Sequence, residues 1–294
     1  MEQFLAIIQK LVDQIETNLD SEVNIAGLSR TFGISPFYLQ RLFKALVGDS
    51  LGQYIRGRRL TRAGEMILET RSGLLDIGFA VGFNSHEAFS RSFKAYFNRT
   101  PSEFRSERPS VLLNKKPVLT LELFEYLKRG LQRDPRIVPS ERQLVVGLPK
   151  SIQSPLILEE RFCAEADQVW MELAGRYREI QHPTPGTFFG ITASPSGDFT
   201  EDQVDFLAGL AVSRIEGLPD GMSQVVLPAG QVAQFEQMRI EPNKYKETID
   251  YIYGYWLPNS AYTRAPGVDY VLVEGMLEFG KPDSVKYVIP VQDK

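Results

Sequence analysis

Residues 35–45 read Ser-Pro-Phe-Tyr-Leu-Gln-Arg-Leu-Phe-Lys-Ala, and residues 85–95 read Ser-His-Glu-Ala-Phe-Ser-Arg-Ser-Phe-Lys-Ala. The second stretch repeats the Arg, Phe, Lys and Ala of the first in the same places, and a glycine stands shortly before each copy, at Gly33 and Gly82. Each opening serine suits a helix N-cap. A glycine turn followed by a short basic helix is typical of a helix-turn-helix, so the sequence predicts two such units on one chain.

The first copy separates into an apolar and a polar face. The apolar face, at helical spacing, consists of Leu39, Leu42, Phe43 and Leu46, and is predicted to be core. The opposite face carries Phe37, Gln40, Arg41 and Lys44. Arg can bind guanine through two hydrogen bonds, Gln can do the same to adenine, and Phe can contact a thymine methyl group. This face therefore has the chemistry of a recognition helix.

The second copy divides in the same way. Phe89, Phe93 and either Tyr96 or Phe97 are expected to face inward, while the outward positions are His86, Glu87, Ser90, Arg91 and Lys94. A few charges on a helix usually mark no more than a solvated face, but two stripes in matched registers favour DNA binding. The candidates for phosphate contacts are Lys44, Arg58, Arg59, Arg62, Lys94 and Arg105.

The distribution of charge agrees with this prediction. The net charge is -4, yet residues 1–108 carry 14 basic and 12 acidic residues and residues 109–294 carry 19 and 25. Residues 26–108 alone have a net charge of +6. A locally basic domain is what phosphate contacts require. We therefore expect double-stranded DNA as a partner of the first domain, and no contribution to DNA affinity from the acidic remainder.

Length and pattern indicate a multi-domain chain, because 294 residues exceed one ordinary domain. Residues 1–108 are predicted to be all-α, with two helix-turn-helix units joined by a long helix. Residues 109–140 are predicted to be a proline-broken linker with a short helix at 119–131. Residues 141–294 are predicted to be an α+β domain of two β-α-β-β repeats with an antiparallel sheet. Its strands are expected at 143–148, 187–193, 205–214, 224–234, 270–276 and 285–291, and its helices at 164–180 and 243–256.

Several classes of protein are disfavoured by composition. The single cysteine, Cys163, excludes an intramolecular disulfide and a Cys-based zinc site. We predict no metal, no cofactor and no catalytic residue. No secretion signal and no apolar run of membrane-spanning length occurs, so the sequence favours a soluble, cytoplasmic protein.

Residues 1–108 resemble the DNA-binding domain of the AraC/XylS family of bacterial transcription regulators. The matching stretches are residues 39–44 (Leu-Gln-Arg-Leu-Phe-Lys), 76–83 (Asp-Ile-Gly-Phe-Ala-Val-Gly-Phe), 89–94 (Phe-Ser-Arg-Ser-Phe-Lys) and 100–105 (Thr-Pro-Ser-Glu-Phe-Arg). The resemblance implies seven helices and two recognition helices that enter successive major grooves. Carried over by position, it implies base contacts by Phe37, Gln40, Arg41, His86, Glu87, Ser90 and Arg91.

Residues 141–294 resemble the GyrI-like, or SHS2-type, ligand-binding domain. The resemblance lies in the doubled β-α-β-β pattern, in residues 225–235 and 264–270, and in the ending Val-Ile-Pro-Val at 288–291. It implies a cleft that takes small, often apolar and cationic molecules. Family members often place Glu and Tyr where this chain has Val271 and Val273, and Glu274 is one register off. The loss of that carboxylate argues for a neutral or weakly polar ligand, or for no ligand.

Aromatic side chains are the natural candidates for such a cleft, although most aromatics at regular spacing are core. The predicted ligand-binding residues are Trp170, Glu172, Tyr177, Tyr255, Trp256 and Tyr270. Glu172 is included because it could supply the missing acid one turn from Trp170.

Three functions remain open at this point. The first is a transcription regulator whose DNA binding responds to a small effector, with RNA polymerase as a further candidate partner. The second is a DNA-binding regulator whose C-terminal domain docks a protein partner. The third, a GyrI-like hydrolase, is disfavoured because the chain has two histidines and no nucleophile motif. Both a monomer and a homodimer fit, since one chain already carries two recognition helices.

Overall fold

The computed structural model describes residues 2–21, 23–108, 115–121, 123–124, 133–156, 158–193, 202–237, 245–274 and 285–294. The chain divides into two compact units. Unit 1 comprises Met1–Phe124 together with Ile249–Asn259, and unit 2 comprises Glu125–Thr248 together with Ser260–Lys294. The predicted fold class, helices first and an α+β domain second, is confirmed.

The N-terminal part of unit 1 is helical throughout. Its helices are α1 (Glu2–Thr17), α2 (Ile25–Thr31), α3 (Pro36–Val47), α4 (Leu51–Glu69), α5 (Leu74–Ala80), α6 (His86–Phe97) and α7 (Pro101–Glu107). Helices α2 and α3 form the first helix-turn-helix, α5 and α6 form the second, and the 19-residue α4 lies between them in the chain. The predicted arrangement is therefore present.

The sequence repeat has a physical basis in the helix ends. Gly33 and Gly82, in the two turns, have φ of +65° and +82°, a region that side chains other than glycine rarely adopt. Ser35 and Ser85 are the N-caps of α3 and α6, and each hydroxyl accepts a hydrogen bond from the backbone N–H three residues on.

The repeat continues beyond the recognition helices. Helix α3 is followed by Gly48 at φ +91° and α6 by Asn98 at φ +55°. After each recognition helix the backbone therefore turns through a residue with positive φ. The next helix then opens on a capping box in each copy, formed by Ser50 with Gln53 and by Thr100 with Glu103.

An aromatic core joins the second helix-turn-helix to α4 and α7. Phe89, Phe93, Phe97 and Phe104 are buried together, with ring centroids 4.6–5.5 Å apart along the chain of contacts. Aromatic pairs at these separations add stability beyond the area they bury. The resulting core holds α6 in a fixed orientation on the long helix.

Unit 2 is built on one antiparallel sheet. Its strands are β1 (Arg136–Ser140), β2 (Gln143–Gln153), β3 (Pro183–Ala193), β4 (Gln203–Val212), β5 (Ser223–Leu227), β6 (Gly230–Gln237), β7 (Tyr262–Arg264), β8 (Asp269–Glu274) and β9 (Val285–Asp293). Helix α8 (Glu159–Arg176), followed by a 3₁₀ turn at Tyr177–Glu179, lies between β2 and β3. The strand order is β1-β6-β9-β8-β3-β4-β2-β5, with β7 paired to β9.

This order makes the predicted internal repeat visible. Strands β3-β4-β2 of the first repeat and β8-β9-β6 of the second have the same arrangement, and the two sets meet where β3 pairs with β8. Each repeat thus completes three neighbouring strands before joining the other at the centre of the sheet.

Several strand boundaries differ from prediction, and β7 was not predicted; two of the differences change how the chain is divided into strands and linker. The single strand expected at 224–234 is two strands, β5 and β6, because the chain turns at Pro228 and Ala229 and the two strands pair in opposite halves of the strand order. Strand β1 falls inside the predicted linker, since Arg136–Ser140 pairs with β6. Most of the helix predicted at 119–131 lies outside the described residues, as do the start of the helix predicted at 243–256 and the end of the strand predicted at 270–276.

A helical run links the two units in sequence. It consists of α9 (Tyr245–Tyr251), a π-helical turn at Ile252–Trp256 and the short α10 (Leu257–Asn259). Its first four residues belong to unit 2 and the rest, from Ile249, to unit 1. The chain therefore passes from one unit to the other within helical structure rather than in a loop.

Candidate DNA-binding surface and ligand-binding face

The recognition helix of the first unit exposes the predicted side chains. Phe37, Gln40, Arg41 and Lys44 are all exposed on α3, while Leu39 and Phe43 are fully buried and Leu42 and Leu46 half-buried. Phe37 is 69% exposed, and the Arg41 guanidinium carbon lies 5.7 Å from its ring centroid. An aromatic ring left in water beside a guanidinium provides one apolar and one cationic group for the edge of a base pair.

Helix α6 presents the equivalent surface of the second unit. His86, Glu87, Arg91 and Lys94 are exposed and Ser90 is half-buried. The Ser90 hydroxyl lies 3.4 Å from His86 Nε2, so the two side chains share one surface position. Glu87 lies in the first turn, where hydrogen bonds from its own backbone N–H and from Ser85 lower the pKa of its carboxyl. Glu87 is therefore a carboxylate at neutral pH.

The predicted phosphate contacts fall into two groups. Lys44 and Lys94 are exposed on the recognition helices, and the Arg62 side chain is 58% exposed with a loose 3.6 Å approach to Glu65. These three cations are open to solvent on helices of unit 1.

The other three arginines have intramolecular partners. Arg58 is 8% exposed and binds Glu16 through Nε and Nη2 and the Lys116 carbonyl through Nη1. Arg59 donates to the carbonyls of Gly82 and Ser21, and Arg105 donates to those of Ile67 and Ser72. Their guanidinium groups hold segments of unit 1 together.

The predicted ligand residues of unit 2 lie on different faces of the sheet. Paired residues of antiparallel strands share a face, and successive residues alternate. Trp170 of α8 lies over Gly190, which pairs with Val271, whereas Tyr270 pairs with Ile191 and belongs to the opposite apolar face with Phe189. Trp170 and Tyr270 are therefore not brought together.

The remaining candidates are also separated. Tyr177 packs edge-on against Phe188, with ring centroids 6.5 Å apart, on the same face as Trp170. Glu172 is exposed and faces Arg176 at 4.0 Å, so it supplies no acid to that face. Tyr255 and Trp256 belong to unit 1, where Tyr255 is buried.

The face beneath α8 carries an aromatic group that sequence reasoning did not assemble. Ring pairs at 5.0–6.3 Å connect Trp170 to Phe206, Phe206 to Phe162, Phe162 to Tyr245, and Tyr245 to Tyr287. We call these five residues the α8-face aromatics. The alternation of the strands, once their register is known, is the signal that places Phe206 and Tyr287 with Val271 on one face.

A buried carboxylate adjoins this group. Asp269 is 2% exposed, accepts a hydrogen bond from Arg264 Nη2 at 2.9 Å, and accepts another from the Tyr287 hydroxyl at 3.2 Å. Its charge is offset by Arg264, as a buried ion requires. With Val271 and Val273 beside it, this face offers apolar surface, phenol groups and an ion pair without net charge.

These features define a class of protein: a regulator that reads DNA with two helix-turn-helix units and carries a separate small-molecule-binding domain. Residues 133–292 match the family described as a GyrI-like small molecule binding domain, and residues 28–107 match a helix-turn-helix domain of AraC type. The chain belongs to the GyrI-like family and is an AraC-type DNA-binding transcription regulator.

Relatives combine the same parts. The chain is 27% identical over 266 residues to the "Right origin-binding protein" of Escherichia coli (strain K12). This match covers 90% of the present chain and 88% of the relative. The chain is 26% identical over the same length to the "Transcriptional regulator Rob" of Salmonella typhimurium, with the same coverage. The "Regulatory protein SoxS" of Salmonella typhimurium is 39% identical over 99 residues, which is 34% of this chain and 92% of that one. Within the residues that the structure describes, no helix is long and apolar enough to cross a membrane.

Proposed function

We propose that this protein binds DNA through α3 and α6 and that a small apolar or aromatic molecule in the GyrI-like domain regulates that binding. The observation that carries the proposal is the pair of exposed stripes on the two recognition helices, which follow equivalent glycine turns. Phe37, Gln40, Arg41, His86, Glu87, Ser90 and Arg91 are the proposed base contacts. Lys44, Arg62 and Lys94 are the proposed phosphate contacts, because their charges face solvent.

The effector site is proposed at the α8-face aromatics. Pockets for small molecules are mostly apolar with a few polar groups, and this face has that composition. A permanent cation would lose its hydration there without meeting an acid at Val271, where related domains often carry a glutamate. We therefore propose a neutral or weakly polar aromatic effector.

The proposal also states that the GyrI-like domain does not catalyse a reaction. Among the residues that the structure describes, no group of three or more His, Cys, Asp or Glu side chains could hold a metal ion. Asp269, a buried acid beside the aromatics, is engaged by Arg264 and Tyr287 rather than aimed at an open position. We propose that the domain binds its effector without converting it. Loss of an effector compound during prolonged incubation with the protein would contradict this.

Assembly and partners are proposed from the arrangement of the reading helices. One chain contains both α3 and α6, so a monomer can occupy two half-sites that other regulators occupy as a dimer. We propose one protein per duplex, with RNA polymerase as a further partner once DNA is bound. Light scattering on the complex gives the stoichiometry, and a supershift of the DNA complex by RNA polymerase tests the second partner.

The experiment that tests the function begins with selection of duplexes from a random pool. Wild-type protein and the double variant Arg41→Ala/Arg91→Ala are then titrated onto the best sequence and onto a scrambled duplex. The proposal expects the double variant to lose discrimination between the two duplexes while keeping its fold. Equal discrimination by both proteins would refute the assignment of the recognition helices.

Effector binding is tested on the full chain by thermal unfolding with neutral, cationic and anionic aromatic compounds. A ligand present at 100 times its dissociation constant adds about 2.7 kcal/mol to stability. Stabilisation by neutral compounds that is reduced in Trp170→Ala supports the site. Stabilisation only by cations would overturn the proposed ligand class, and stabilisation by none of the compounds would favour a domain that docks a protein.

A further inference from the structure

A buried charge pair, Asp49 and Lys116, lies within unit 1. The Lys116 ammonium lies 2.5 Å from Asp49 Oδ2, and the two side chains are 5% and 3% exposed. The ammonium also lies 4.0 Å from the Tyr255 ring centroid and donates to the Gly254 carbonyl. Burial lowers the pKa of Lys116, although Asp49 opposes the shift. Such a pair is tolerated only while its surroundings keep both charges hydrogen-bonded and dry.

The segment Ile249–Asn259 supplies much of those surroundings. Gly254 contributes its carbonyl and Tyr255 its ring, and the Tyr255 hydroxyl donates to the Pro117 carbonyl at 2.8 Å. Asn259 Nδ2 donates to Asp49 Oδ1 at 2.6 Å and to the Tyr255 carbonyl at 2.8 Å. These residues fall within the GyrI-like match at 133–292, yet they are part of the compact unit that reads DNA.

The approach of this segment is close. A Cβ atom added to Gly254 would lie 2.2 Å from Pro117 Cδ and 3.0 Å from the Lys115 carbonyl oxygen. No side chain fits at that position, so glycine allows the π-helical turn to reach the backbone of residues 115–117 directly. A π-helical turn is rare in proteins, and those that occur are often found at functional sites.

The same network reaches both recognition helices. Asp49 follows Gly48, the residue that ends α3, so its carboxylate is attached to the end of the first reading helix. The Lys116 backbone N–H donates to Thr61 Oγ1 of α4 at 2.9 Å, and α6 packs through Phe89, Phe93 and Phe97 against the core that α4 forms with Leu60, Ala63 and Ile67. Because Lys116 contacts both Asp49, next to the end of α3, and Thr61, on the helix against which α6 packs, displacement of Lys116 would disturb the supports of α3 and α6 together.

We propose that Ile249–Asn259 is a coupling segment, which completes the DNA-binding unit by enclosing the Asp49–Lys116 pair and transmits the state of the GyrI-like domain to α3 and α6. The transmission route is the helical run itself, whose first residues, Tyr245–Thr248, belong to unit 2. This inference rests on the proposed function and names the residues through which regulation acts. Linkage requires reciprocity: if the segment controls DNA affinity, DNA must stabilise the segment.

Reciprocity makes the test independent of any effector. The full chain is studied by hydrogen exchange with and without the selected duplex, and amide exchange is followed across residues 245–259. Opening of a segment that DNA stabilises slows by the coupling factor, which is about 5- to 150-fold in typical allosteric proteins. The expected result is slowed exchange at Tyr255 and Asn259 when DNA is bound.

A matched pair of variants separates coupling from simple stability. Asn259→Ala removes the bond to Asp49 together with an i−4 bond to a backbone carbonyl. Asn18→Ala, in the turn that follows α1 of the same unit, removes an equivalent i−4 bond to the Gln14 carbonyl and makes no change at Asp49. We expect Asn259→Ala to weaken DNA binding at least about 5-fold and to abolish the DNA-dependent protection. Asn18→Ala is expected to stay within about 2-fold of wild type.

A milder variant keeps the inference testable if Asn259→Ala fails to fold. Tyr255→Phe retains the ring beside Lys116 and removes only the hydroxyl that bonds to Pro117. It should reduce the DNA-dependent protection in part. Duplex binding without slowed exchange at 249–259, or equal effects of Asn18→Ala and Asn259→Ala, would overturn the coupling while leaving DNA binding in place. Failure to bind any selected duplex would overturn the DNA-binding assignment and the coupling with it.

Discussion

Replacing Gly254 by alanine is the most direct perturbation of the buried charge pair of unit 1. The added Cβ would meet Pro117 Cδ at 2.2 Å, whereas ordinary contacts begin at 3.4 Å, so the π-helical turn must retreat by about 1.2 Å. Overpacking of this kind costs about 1–3 kcal/mol. The retreat also stretches the charge-assisted hydrogen bond from Lys116 to the Gly254 carbonyl, and such bonds contribute about 1.5–3 kcal/mol. We expect unit 1 to lose about 3 kcal/mol of stability.

Gly52→Ala provides the matched control. Gly52 is exposed within α4 of the same unit, and a Cβ added there meets nothing within 4 Å. Alanine is favoured over glycine in a helix by about 0.5–1 kcal/mol, so this variant should be slightly more stable than wild type. The same Gly→Ala change is thus expected to lower the stability of unit 1 at position 254 and to raise it at position 52.

The assay measures tryptophan fluorescence, because each unit contains one tryptophan. The chain has two tryptophans, and in a Trp170→Phe background the emission of Trp256 reports the unfolding of unit 1. Urea titrations of the three proteins give midpoints and slopes, and an unchanged slope shows that stability alone has changed. If Gly254→Ala is as stable as Gly52→Ala, the close approach of residues 115–117 to the π-helical turn is not a feature of the protein in solution.

Three further predictions concern the DNA-binding surface and the helix caps. Arg41→Ala should cost about 1–3 kcal/mol of DNA affinity and relax specificity at one base pair, as measured by anisotropy on single-substitution duplexes; a uniform loss over all duplexes would contradict a base contact. Lys44→Gln should lower the slope of log affinity against log salt by about 0.9, while Arg58→Gln should destabilise the protein and leave the slope unchanged. Glu103→Gln should be less stable than wild type at neutral pH, and the difference should vanish in acid. Hydrogen bonds from Thr100 lower the pKa of the Glu103 carboxyl below its ordinary 4.5, so its contribution is present above that value and is lost as the pH falls through the folded value.

The capping box at Ser50 provides a control for the predicted pH dependence of Glu103→Gln. Gln53 already closes the box at Ser50 with an uncharged side chain, so that site does not titrate. Unfolding titrations of wild type and Glu103→Gln across acid pH measure the effect, and a difference that persists unchanged in acid would show that the cap does not depend on the carboxylate.

Local signals predicted the helices of unit 1 well, because the determinants lie within a few residues of each other. Ser35, Ser85 and Thr100 cap helices whose first N–H groups are three residues away, and Gly33 and Gly82 are required by their own positive φ. A repeat of such signals is visible without any knowledge of tertiary structure. The predicted faces of α3 and α6 follow from the same short-range periodicity.

The α8-face aromatics, the proposed effector site, were harder to predict because their grouping depends on strand register. Tyr270 and Val271 are adjacent in sequence, and only the pairing of Val271 with Gly190 reveals which of the two lies beneath Trp170. Tyr255 was predicted in the same pocket as one of the aromatic side chains of residues 141–294. The residue nonetheless belongs to unit 1, where its hydroxyl bonds to Pro117, 138 residues earlier in the chain.

The arginines show that a count of basic residues does not separate cations open to solvent from cations with intramolecular partners. Arg58 was predicted to bind phosphate. In the structure its guanidinium is buried and bonds to Glu16 and Lys116, which lie 42 and 58 residues away in the sequence. Arg59 and Arg105 likewise bond to carbonyls 23–38 residues away.

Because each neutralised phosphate contributes about 0.9 to the salt slope, six contacts from this set would give about 5 and three would give about 3. Replacement by glutamine, one residue at a time, distinguishes the two cases: Lys44, Arg62 and Lys94 should each lower the slope, and Arg58, Arg59 and Arg105 should lower stability instead. If the slope falls with Arg58→Gln, that guanidinium leaves Glu16 when DNA binds. The interior network around Lys116 would then have to rearrange in the complex, since Arg58 also holds the Lys116 carbonyl.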